Sequence, residues 1–246
     1  MDLKDKVAIV TGGNGGLGQR ICHALSRAGC KIAVVYAQSK GQAEAVAIKL
    51  LTEARAFQCD LSDPAQISAM VDAVQKHFGQ VDILINDAAF NKWIPFHDLD
   101  NLTLELWDKI MTINLTGPML CIKAVAPIMK KQGAGRIINI SSIAGLGPSG
   151  SSIAYAVSKA GLIHLSKCMA VGLAPEVTVN CLSPGYIEGT RATANLAPEY
   201  RAKAAEQNLL KKPADKDDIA DQVVALCRAE TITGQNLVID SGRVFH

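Results

Sequence analysis

The stretch Val7-Ala-Ile-Val-Thr-Gly-Gly-Asn-Gly-Gly-Leu-Gly18 decides the fold of this 246-residue chain. Its first four residues are apolar, which is typical of a buried strand. The glycines that follow allow a tight turn, and a helical period then runs from Gly18 to Gly29. A strand, a glycine turn and a helix in this order place backbone N–H groups where a diphosphate can bind. The turn therefore predicts a dinucleotide site, and a plain strand-to-helix corner is the alternative reading.

The rest of the chain alternates short apolar segments with longer amphipathic ones. Such alternation implies a parallel sheet with helices on both faces. We expect an α/β fold, a doubly wound parallel seven-stranded sheet of the Rossmann type, in a single domain over residues 1–246. The weakly periodic stretch 186–208 is predicted to be a lid over the site. The predicted strands are Val7–Val10, Lys31–Tyr36, Ala54–Gln58, Val81–Asn86, Arg136–Ser141, Val177–Cys181 and Gln235–Asp240, and the longest predicted helices are Thr103–Lys131 and Ser152–Leu173.

Composition excludes several classes of protein. Apolar residues make up 49% and charged residues 20% of the chain, which is typical of a globular protein. A net charge of +2 gives no sign of a nucleic-acid partner or an acidic membrane surface. Seven scattered cysteines predict free thiols in a reducing compartment, and we expect a cytoplasmic protein. The histidines lack metal-ligand spacing and no apolar run of about 18 residues is evident, so neither a metal site nor a membrane span is expected.

Tyr155 and Lys159 point to acid–base chemistry. Positions four apart lie on one face of a helix, so the phenol and the ammonium group can meet. A nearby cation lowers the pKa of a phenol from its usual value of about 10. The pair can then move a proton to or from a carbonyl or alcohol oxygen. A surface lysine beside a half-buried tyrosine is the ordinary alternative, but Ser142 upstream and the glycine turn favour the catalytic interpretation.

The end of the second predicted strand bears on the choice of cofactor. A carboxylate there would bind the ribose 2′-hydroxyl of NAD, whereas a small polar or basic group admits the 2′-phosphate of NADP. Tyr36-Ala-Gln-Ser-Lys40 has no carboxylate. This favours NADP(H), with NAD(H) possible, and the alternative is a solvated loop with no preference. Asp60 follows the third strand, where it would accept a hydrogen bond from the adenine or form a turn before Asp63.

These motifs, spread over essentially the whole chain, resemble the short-chain dehydrogenase/reductase family. The resemblance is to its small single-domain type, which includes 3-oxoacyl reductases and other carbonyl reductases. It implies that a ketone and a secondary alcohol are interconverted by hydride transfer. The alternatives are a 3-oxoacyl thioester reductase acting on acyl-carrier-protein or CoA substrates, a sugar or polyol dehydrogenase, and a non-catalytic dinucleotide-binding regulator. The motifs are Thr11–Gly18, Cys59-Asp60, Asn86-Asp-Ala-Ala89, Ile113-Asn-Leu-Thr-Gly117, Ser142, Tyr155 with Lys159, and Ser183-Pro-Gly185.

The resemblance also implies residue roles. Tyr155 is the general acid in reduction and the base in oxidation, and Lys159 lowers its pKa and holds the nicotinamide ribose. Ser142 binds the substrate oxygen, and Asn114 binds a water that links Lys159 to solvent. The complete set argues against the regulator. The cofactor site expected from the residues and the resemblance together is Gly12, Asn14, Gly15, Gly16, Leu17, Gly18, Tyr36, Gln38, Ser39, Asp60, Leu61, Asn86, Ala88, Tyr155, Lys159, Pro184, Gly185 and Ile187.

Three departures from the family pattern stand out. The usual Asn-Asn-Ala-Gly is Asn86-Asp-Ala-Ala89, which puts the carboxylate of Asp87 near the cofactor cleft. Gly189 stands where the family commonly has a threonine that contacts the nicotinamide amide. Gly15 stands where NADP users often have a basic residue, which weakens the NADP prediction.

The substrate side is less specific. Trp93, Leu146 and Tyr186 are predicted to line an apolar pocket for a small or medium ketone or alcohol. Ala174-Pro-Glu176 lacks the basic residue that often precedes the sixth strand in carrier-protein reductases, which mildly disfavours carrier-bound substrates. The resemblance also implies a homotetramer built through the long helices and the last strand, and the apolar chain end from Val238 suits such an interface.

Overall fold

The computed structural model describes residues 1–194 and 196–245, and the side chains of all of these except 192 and 202. Asn195, within the predicted lid, and His246 lie outside the described residues. The described strands form one seven-stranded sheet in the order β3-β2-β1-β4-β5-β6-β7, and every pair is parallel. They are β1 (Val7–Thr11), β2 (Lys31–Tyr36), β3 (Ala54–Gln58), β4 (Ile83–Asn86), β5 (Gly135–Ile140), β6 (Val177–Pro184) and β7 (Asn236–Ile239).

Helices connect successive strands, so the predicted doubly wound α/β fold is confirmed. A π-helical turn over Thr112–Thr116 separates the fourth helix from the fifth. The helices are α1 (Gly18–Arg27), α2 (Lys40–Ile48), α3 (Pro64–Phe78), α4 (Leu104–Met111), α5 (Gly117–Gln132), α6 (Ile153–Leu173), α7 (Arg191–Ala194), α8 (Pro198–Ala204) and α9 (Lys216–Arg228).

The sheet separates two hydrophobic cores. Side chains alternate between the faces of a strand, so neighbouring residues of β4 enter different cores. Ile83 and Ile85 pack with α1 and α9, whereas Leu84 packs with α3, α5 and α6. Each fully buried side chain of this kind contributes about 1.5–3 kcal/mol through the hydrophobic effect. Burial on both faces explains why the inner strands β1, β2 and β4 are apolar runs, whereas the edge strand β3 carries the exposed Arg55 and Gln58.

Several element boundaries differ from the sequence prediction by a few residues. The long helix predicted over Thr103–Lys131 is confirmed over Leu104–Gln132, but a π-helical turn around Asn114, which the prediction did not include, divides it into α4 and α5. The side chain of Asn114 is hydrogen-bonded to the loop after β4, an interaction outside the helix that the helical period does not reveal. Strand β6 also runs to Pro184, beyond the predicted end at Cys181, because β7 pairs with it up to Ile239.

The stretch Leu104–Gln132 is long and apolar enough, by length and composition alone, to cross a membrane. Core helices of soluble proteins meet the same criteria, and this one buries Cys121, Ile122 and Val125 against the sheet. Its apolar character follows from that packing.

Helix caps fix where functional segments begin. Asp63 caps α3, its Oδ1 accepting the N–H groups of Ala65 and Gln66 at 2.9 and 3.3 Å, with Pro64 in the first turn. Ser152 caps α6, and its hydroxyl accepts the N–H of Tyr155 at 3.2 Å. The cap holds Tyr155 in the first turn of α6, which opens at the carboxyl ends of the strands.

Candidate active site

A cleft of about 540 Å³ runs along the carboxyl edge of the sheet. It lies at the chain reversal between β1 and β4, which is where open α/β sheets bind ligands. The glycine turn, the ends of β2 to β6 and the first turn of α6 contribute to its walls. Among the sequence-predicted residues it is lined by Gly12, Asn14, Gly15, Gly16, Leu17, Tyr36, Gln38, Asp60, Leu61, Ala88, Ser142, Tyr155, Lys159, Pro184, Gly185, Tyr186 and Ile187.

Six predicted site residues lie outside this lining. Gly18 is buried beneath the glycine turn, and Ser39 sits at the N-cap of α2 in a left-handed conformation. The side chain of Asn86 faces away, donating to Asn139 Oδ1 at 2.8 Å inside the sheet. Asn114 is 1% exposed and Trp93 packs on Tyr200 behind the lining. Leu146 follows the short 3-10 turn after Ser142 and also lies outside the lining.

The glycine turn fits a dinucleotide diphosphate. A Cβ on Gly18 would lie 2.3 Å from the carbonyl oxygen of Gly12, and one on Gly16 would lie 2.8 Å from the carbonyl oxygen of Gly189. Neither position tolerates a side chain, so the backbone remains open to the cleft at the start of α1. Backbone N–H groups at a helix N-terminus attract anionic groups.

The part of the cleft at the end of β2, where the sequence predicts the cofactor ribose, has no carboxylate from residues 36 to 40. Tyr36 lines the cleft but is only 5% exposed and belongs to the core against α1. Gln38 is exposed, and its carbonyl accepts the side-chain amide of Asn14 at 3.2 Å. Lys40 forms an exposed ion pair of 3.7 Å with Glu44, which contributes little. Asp60 lines the cleft, and its Oδ1 accepts the N–H and hydroxyl of Ser62, which is the predicted turn before Asp63. Its hydrogen bond to the adenine stays a prediction.

Tyr155 and Ser142 meet in the cleft. Ser142 follows β5, its hydroxyl accepts the N–H of Ala144 at 3.2 Å, and it lines the cleft together with the phenol of Tyr155. Burial raises the pKa of Tyr155 to about 12, and Ser142 opposes that rise. The spacing of Tyr155 and Lys159 predicted a lowered pKa for the phenol, but desolvation of the phenolate outweighs the groups that stabilise it. At neutral pH this phenol therefore holds its proton.

Lys159 lies one helical turn beyond Tyr155, as the spacing predicted. Its Nζ is 5.7 Å from the centre of the Tyr155 ring and donates to the carbonyl of Ile140 at 2.8 Å. The residue is 2% exposed. Burial lowers the pKa of Lys159 to about 8, while Asp87 raises it. The ammonium is thus held at the end of β5 by a backbone carbonyl.

Asn114 joins two parts of the site. Its Oδ1 accepts the N–H of Phe90 at 2.8 Å, and its Nδ2 donates to the carbonyl of Phe90 at 2.9 Å and to Ser158 Oγ at 3.1 Å. The side chain therefore fastens the loop after β4 to α6. A water next to Lys159, the role that the resemblance implied for Asn114, stays a prediction.

Several ionisable residues that line the cleft are absent from the predicted site list, namely Cys59, Asp87, Lys109, Arg191 and Tyr200. Asp87 follows β4 directly and lines the cleft with Tyr155 and Lys159. Its carboxyl group accepts the backbone N–H of Gly18, and burial raises its pKa to about 7. The departure from the family motif was visible in the sequence, but the strand neighbours of Asp87 were not.

Aromatic side chains surround the outer part of the cleft. The ammonium group of Lys109 lies over the ring of Phe90, 4.4 Å from its centre, in a cation–π contact. The rings of Trp93 and Tyr200 pack with their centres 5.5 Å apart and their planes tilted by 55°, which joins the loop after β4 to helix α8. The lining contributed by the stretch after β6 includes Tyr186, Leu196 and Tyr200. This part of the cleft suits an apolar or mixed ligand.

Other sequence expectations concern reactive groups elsewhere. The seven cysteines are free thiols, six of them buried, and only Cys168 is exposed. Among residues 1–194 and 196–245, no group of three or more histidine, cysteine, aspartate or glutamate side chains is placed to hold a metal ion.

Comparisons with known proteins agree with this geometry. A family model described as enoyl-(acyl carrier protein) reductase matches residues 12–243. A protein described as ketoacyl reductase 2 of the granaticin polyketide synthase of Streptomyces violaceoruber is 36% identical over 96% of this chain and 95% of its own. The 3-oxoacyl-(acyl-carrier-protein) reductase FabG of Staphylococcus epidermidis is 35% identical over 97% of this chain and 98% of its own.

Solved structures show the same architecture. A short-chain type dehydrogenase/reductase from Mycobacterium marinum superposes with a TM-score of 0.91 at 30% identity, covering 99% of this chain and 97% of its own. An NAD⁺-bound xylitol dehydrogenase superposes with a TM-score of 0.89 at 28% identity, covering 98% of this chain and 100% of its own.

Proposed function

Because the chain belongs to the short-chain dehydrogenase/reductase family, we propose that it reduces a ketone to a secondary alcohol with NADPH as hydride donor. The family assignment makes it an oxidoreductase that acts on C=O and CH–OH groups. The proposal adds the direction, the preferred cofactor and the residue roles. The observation that carries it is the meeting of Ser142, Tyr155 and Lys159 in one cleft with the glycine turn.

In this mechanism Ser142 and Tyr155 hydrogen-bond the substrate carbonyl oxygen. A bound nicotinamide cofactor supplies the hydride that reaches the carbonyl carbon. The phenol of Tyr155 gives its proton to the oxygen as negative charge develops there, so C=O becomes CH–OH. Lys159 stabilises the phenolate that remains and binds the ribose of the cofactor. Pro184, Gly185 and Ile187 orient the nicotinamide, and Gly12 to Gly18 hold the diphosphate.

The protonation state of Tyr155 favours reduction. With a pKa raised to about 12 by burial, the phenol is protonated at neutral pH and can act as an acid without prior loss of a proton. Oxidation of an alcohol needs the phenolate instead, which becomes available only as pH rises. We therefore expect the reductive rate to dominate near neutral pH.

NADPH is preferred in the proposal because the end of β2 has no carboxylate to repel a 2′-phosphate. Gln38 and Ser39 are the groups that would receive it, with Asp60 toward the adenine. Gly15 offers no cation, so the preference is expected to be moderate and NADH to be used as well.

A 3-oxoacyl thioester is the second candidate substrate. The observation that favours it is that this chain is similar to the granaticin ketoacyl reductase and to FabG over nearly the whole length of each. An outer cleft lined by Phe90, Tyr186 and Tyr200 would accept an acyl chain next to the reacting carbonyl. The segment after Tyr186 would then act as the lid over that chain.

We also propose a cytoplasmic homotetramer whose partner is a small-molecule substrate. The free thiols support a reducing compartment. Exposed apolar side chains on α4, α6 and the chain end, namely Leu104, Val171 and Phe245, support contacts between copies along the long helices and the last strand.

The test measures loss of NADPH absorbance with acetoacetyl-CoA and with a panel of free ketones, each repeated with NADH. Turnover of acetoacetyl-CoA would select thioester reduction, and turnover of free ketones alone would select the general carbonyl reductase. Tyr155→Phe is expected to lower kcat by about 10²–10⁴-fold while NADPH binding is retained. Near-normal turnover in that variant would contradict the mechanism. NADPH binding without turnover of any ketone or alcohol would favour a non-catalytic regulator.

A further inference from the structure

Asp87 and Lys159 approach the end of the same strand. Strands β4 and β5 are parallel with Asn86 opposite Asn139, and Asp87 and Ile140 are the residues that follow this last pair along the two strands. Neighbouring strands are about 4.8 Å apart. The carbonyl of Ile140 is the group to which Lys159 Nζ donates at 2.8 Å. A carboxyl group and an ammonium group therefore lie around one strand end and line one cleft.

Few groups can balance the charge of Lys159. A buried ammonium without an opposite charge is costly. The groups that raise its pKa are Asp87, which directly follows β4, and Cys181 on β6. Burial raises the pKa of the Cys181 thiol to about 11, so that thiol is neutral at neutral pH. Asp87 is then the group of these two that can carry a full negative charge.

Asp87 itself is met from two helices. From α1, the N–H of Gly18 donates to its carboxyl group, and the thiol of Cys22 lies nearby. From α6, the ammonium group of Lys159 lowers the pKa of Asp87, and the charge of Asp87 raises the pKa of the Tyr155 phenol. Burial keeps the Cys22 thiol neutral by raising its pKa far above the usual value. The charged partner of Asp87 in this set is Lys159.

We propose that Asp87 is the counter-charge that keeps Lys159 protonated in the cleft, and thus a positioning residue for proton transfer by Tyr155. Its part in catalysis rests on the proposed function, whereas its action on Lys159 does not. The family pattern has asparagine at this position, so the device belongs to this chain and not to the resemblance.

The directions of the pKa shifts agree with this pairing. Burial raises the pKa of Asp87 to about 7 and Lys159 opposes the rise, while burial lowers the pKa of Lys159 to about 8 and Asp87 opposes the fall. Asp87 also raises the pKa of Tyr155. Removing its charge should therefore lower the pKa of both Lys159 and Tyr155. Below the pKa of Asp87 the wild-type carboxyl is protonated, so there its removal should matter little.

The direct test follows the pKa of Lys159 in the apoprotein. ¹³C-lysine-labelled full-length protein is titrated by NMR, and the Lys159 ε-carbon signal is assigned by its loss in Lys159→Met. In Asp87→Asn the pKa of Lys159 is expected to fall by about one unit or more. Asparagine can still accept the Gly18 N–H, so folding should be retained. Asp87→Glu keeps the charge and should leave the pKa nearer the wild-type value.

Asp72→Asn is the matched control, because it removes one carboxylate from the exposed face of α3. It is expected to leave the pKa of Lys159 at the wild-type value. The same pKa in wild type and Asp87→Asn would overturn the proposal. No catalysis is needed for this measurement, so an inactive enzyme and a wrong counter-charge give different results.

The pH dependence of turnover is the second readout. In Asp87→Asn the alkaline fall of kcat/KM for ketone reduction should move to lower pH by about one unit. Wild type and variant should converge below about pH 6, where Asp87 is protonated in the wild type. A purely structural loss would instead lower turnover by the same factor at every pH and would contradict the proposal.

Discussion

Replacing Asn114 with alanine separates two roles for this residue, a clamp on the loop after β4 and a relay of protons to Lys159. The side chain is 1% exposed and makes three hydrogen bonds of 2.8, 2.9 and 3.1 Å, two to the backbone of Phe90 and one to Ser158. Asn114→Ala deletes all three. It leaves the N–H and the carbonyl of Phe90 without these partners.

The expected cost follows from those bonds. Each buried polar group left without a partner costs about 1–3 kcal/mol, and Phe90 is partly open to solvent, so the lower part of that range applies. Two such groups give a loss of about 2–4 kcal/mol in the free energy of unfolding. Ser158→Ala removes only one partner of Asn114 and spares both bonds to Phe90. It should cost about 1 kcal/mol.

Urea denaturation of both variants measures these differences, with kcat and KM measured on the same preparations. If Asn114 acts as a clamp, Asn114→Ala should be markedly less stable than Ser158→Ala and should raise the KM of the ketone, because Phe90 borders the substrate end of the cleft. Wild-type stability together with a large fall in kcat would refute the clamp and favour the proton relay.

Two further predictions concern the cofactor. In Gly18→Ala the new Cβ would lie 2.3 Å from the Gly12 carbonyl oxygen, so this variant should lose about 1–3 kcal/mol of stability and bind NADPH poorly in a fluorescence titration. Gly41→Ala in α2 is the control, because nothing lies within 4 Å of its Cβ, and neither its stability nor its NADPH affinity should fall. Equal NADPH affinity in the two variants would contradict the proposed diphosphate site. Ala37→Asp places a carboxylate on the exposed cleft wall beside Tyr36. This charge should repel the 2′-phosphate and lower the ratio of kcat/KM for NADPH to kcat/KM for NADH by about tenfold or more. An unchanged ratio would show that the cofactor ribose lies elsewhere.

The fold was predictable because its signals are local. Most strands are short and mainly apolar, the turn after Thr11 is rich in glycine, and Asp63 with Pro64 is a recognisable helix start. These features depend on neighbours in the chain, so they can be read without coordinates. The alternation of strands with helices predicted a parallel sheet, but the order of the strands was not predicted and comes from the structure.

The interruption at Asn114 was not predictable from the same signals. Residues 103–131 have helical composition throughout, and nothing in their sequence marks a break at Asn114. The π-helical turn exists because Asn114 bonds to Phe90, which is distant in sequence. A tertiary hydrogen bond of this kind leaves no periodic signal.

The electrostatics of the site were the hardest to predict, and Tyr155 shows why. Its four-residue spacing from Lys159 correctly placed a cation beside a phenol, but spacing carries no information on how much water is excluded. In the cleft, desolvation raises the pKa of the phenol and lowers that of the ammonium, so the two shifts work against a neutral-pH phenolate. The chain supplies a carboxylate at Asp87, which directly follows β4 and lines the same cleft as Lys159. That carboxylate favours a charged lysine and a protonated tyrosine together, which is the pair of states that a ketone reductase needs before it donates a proton.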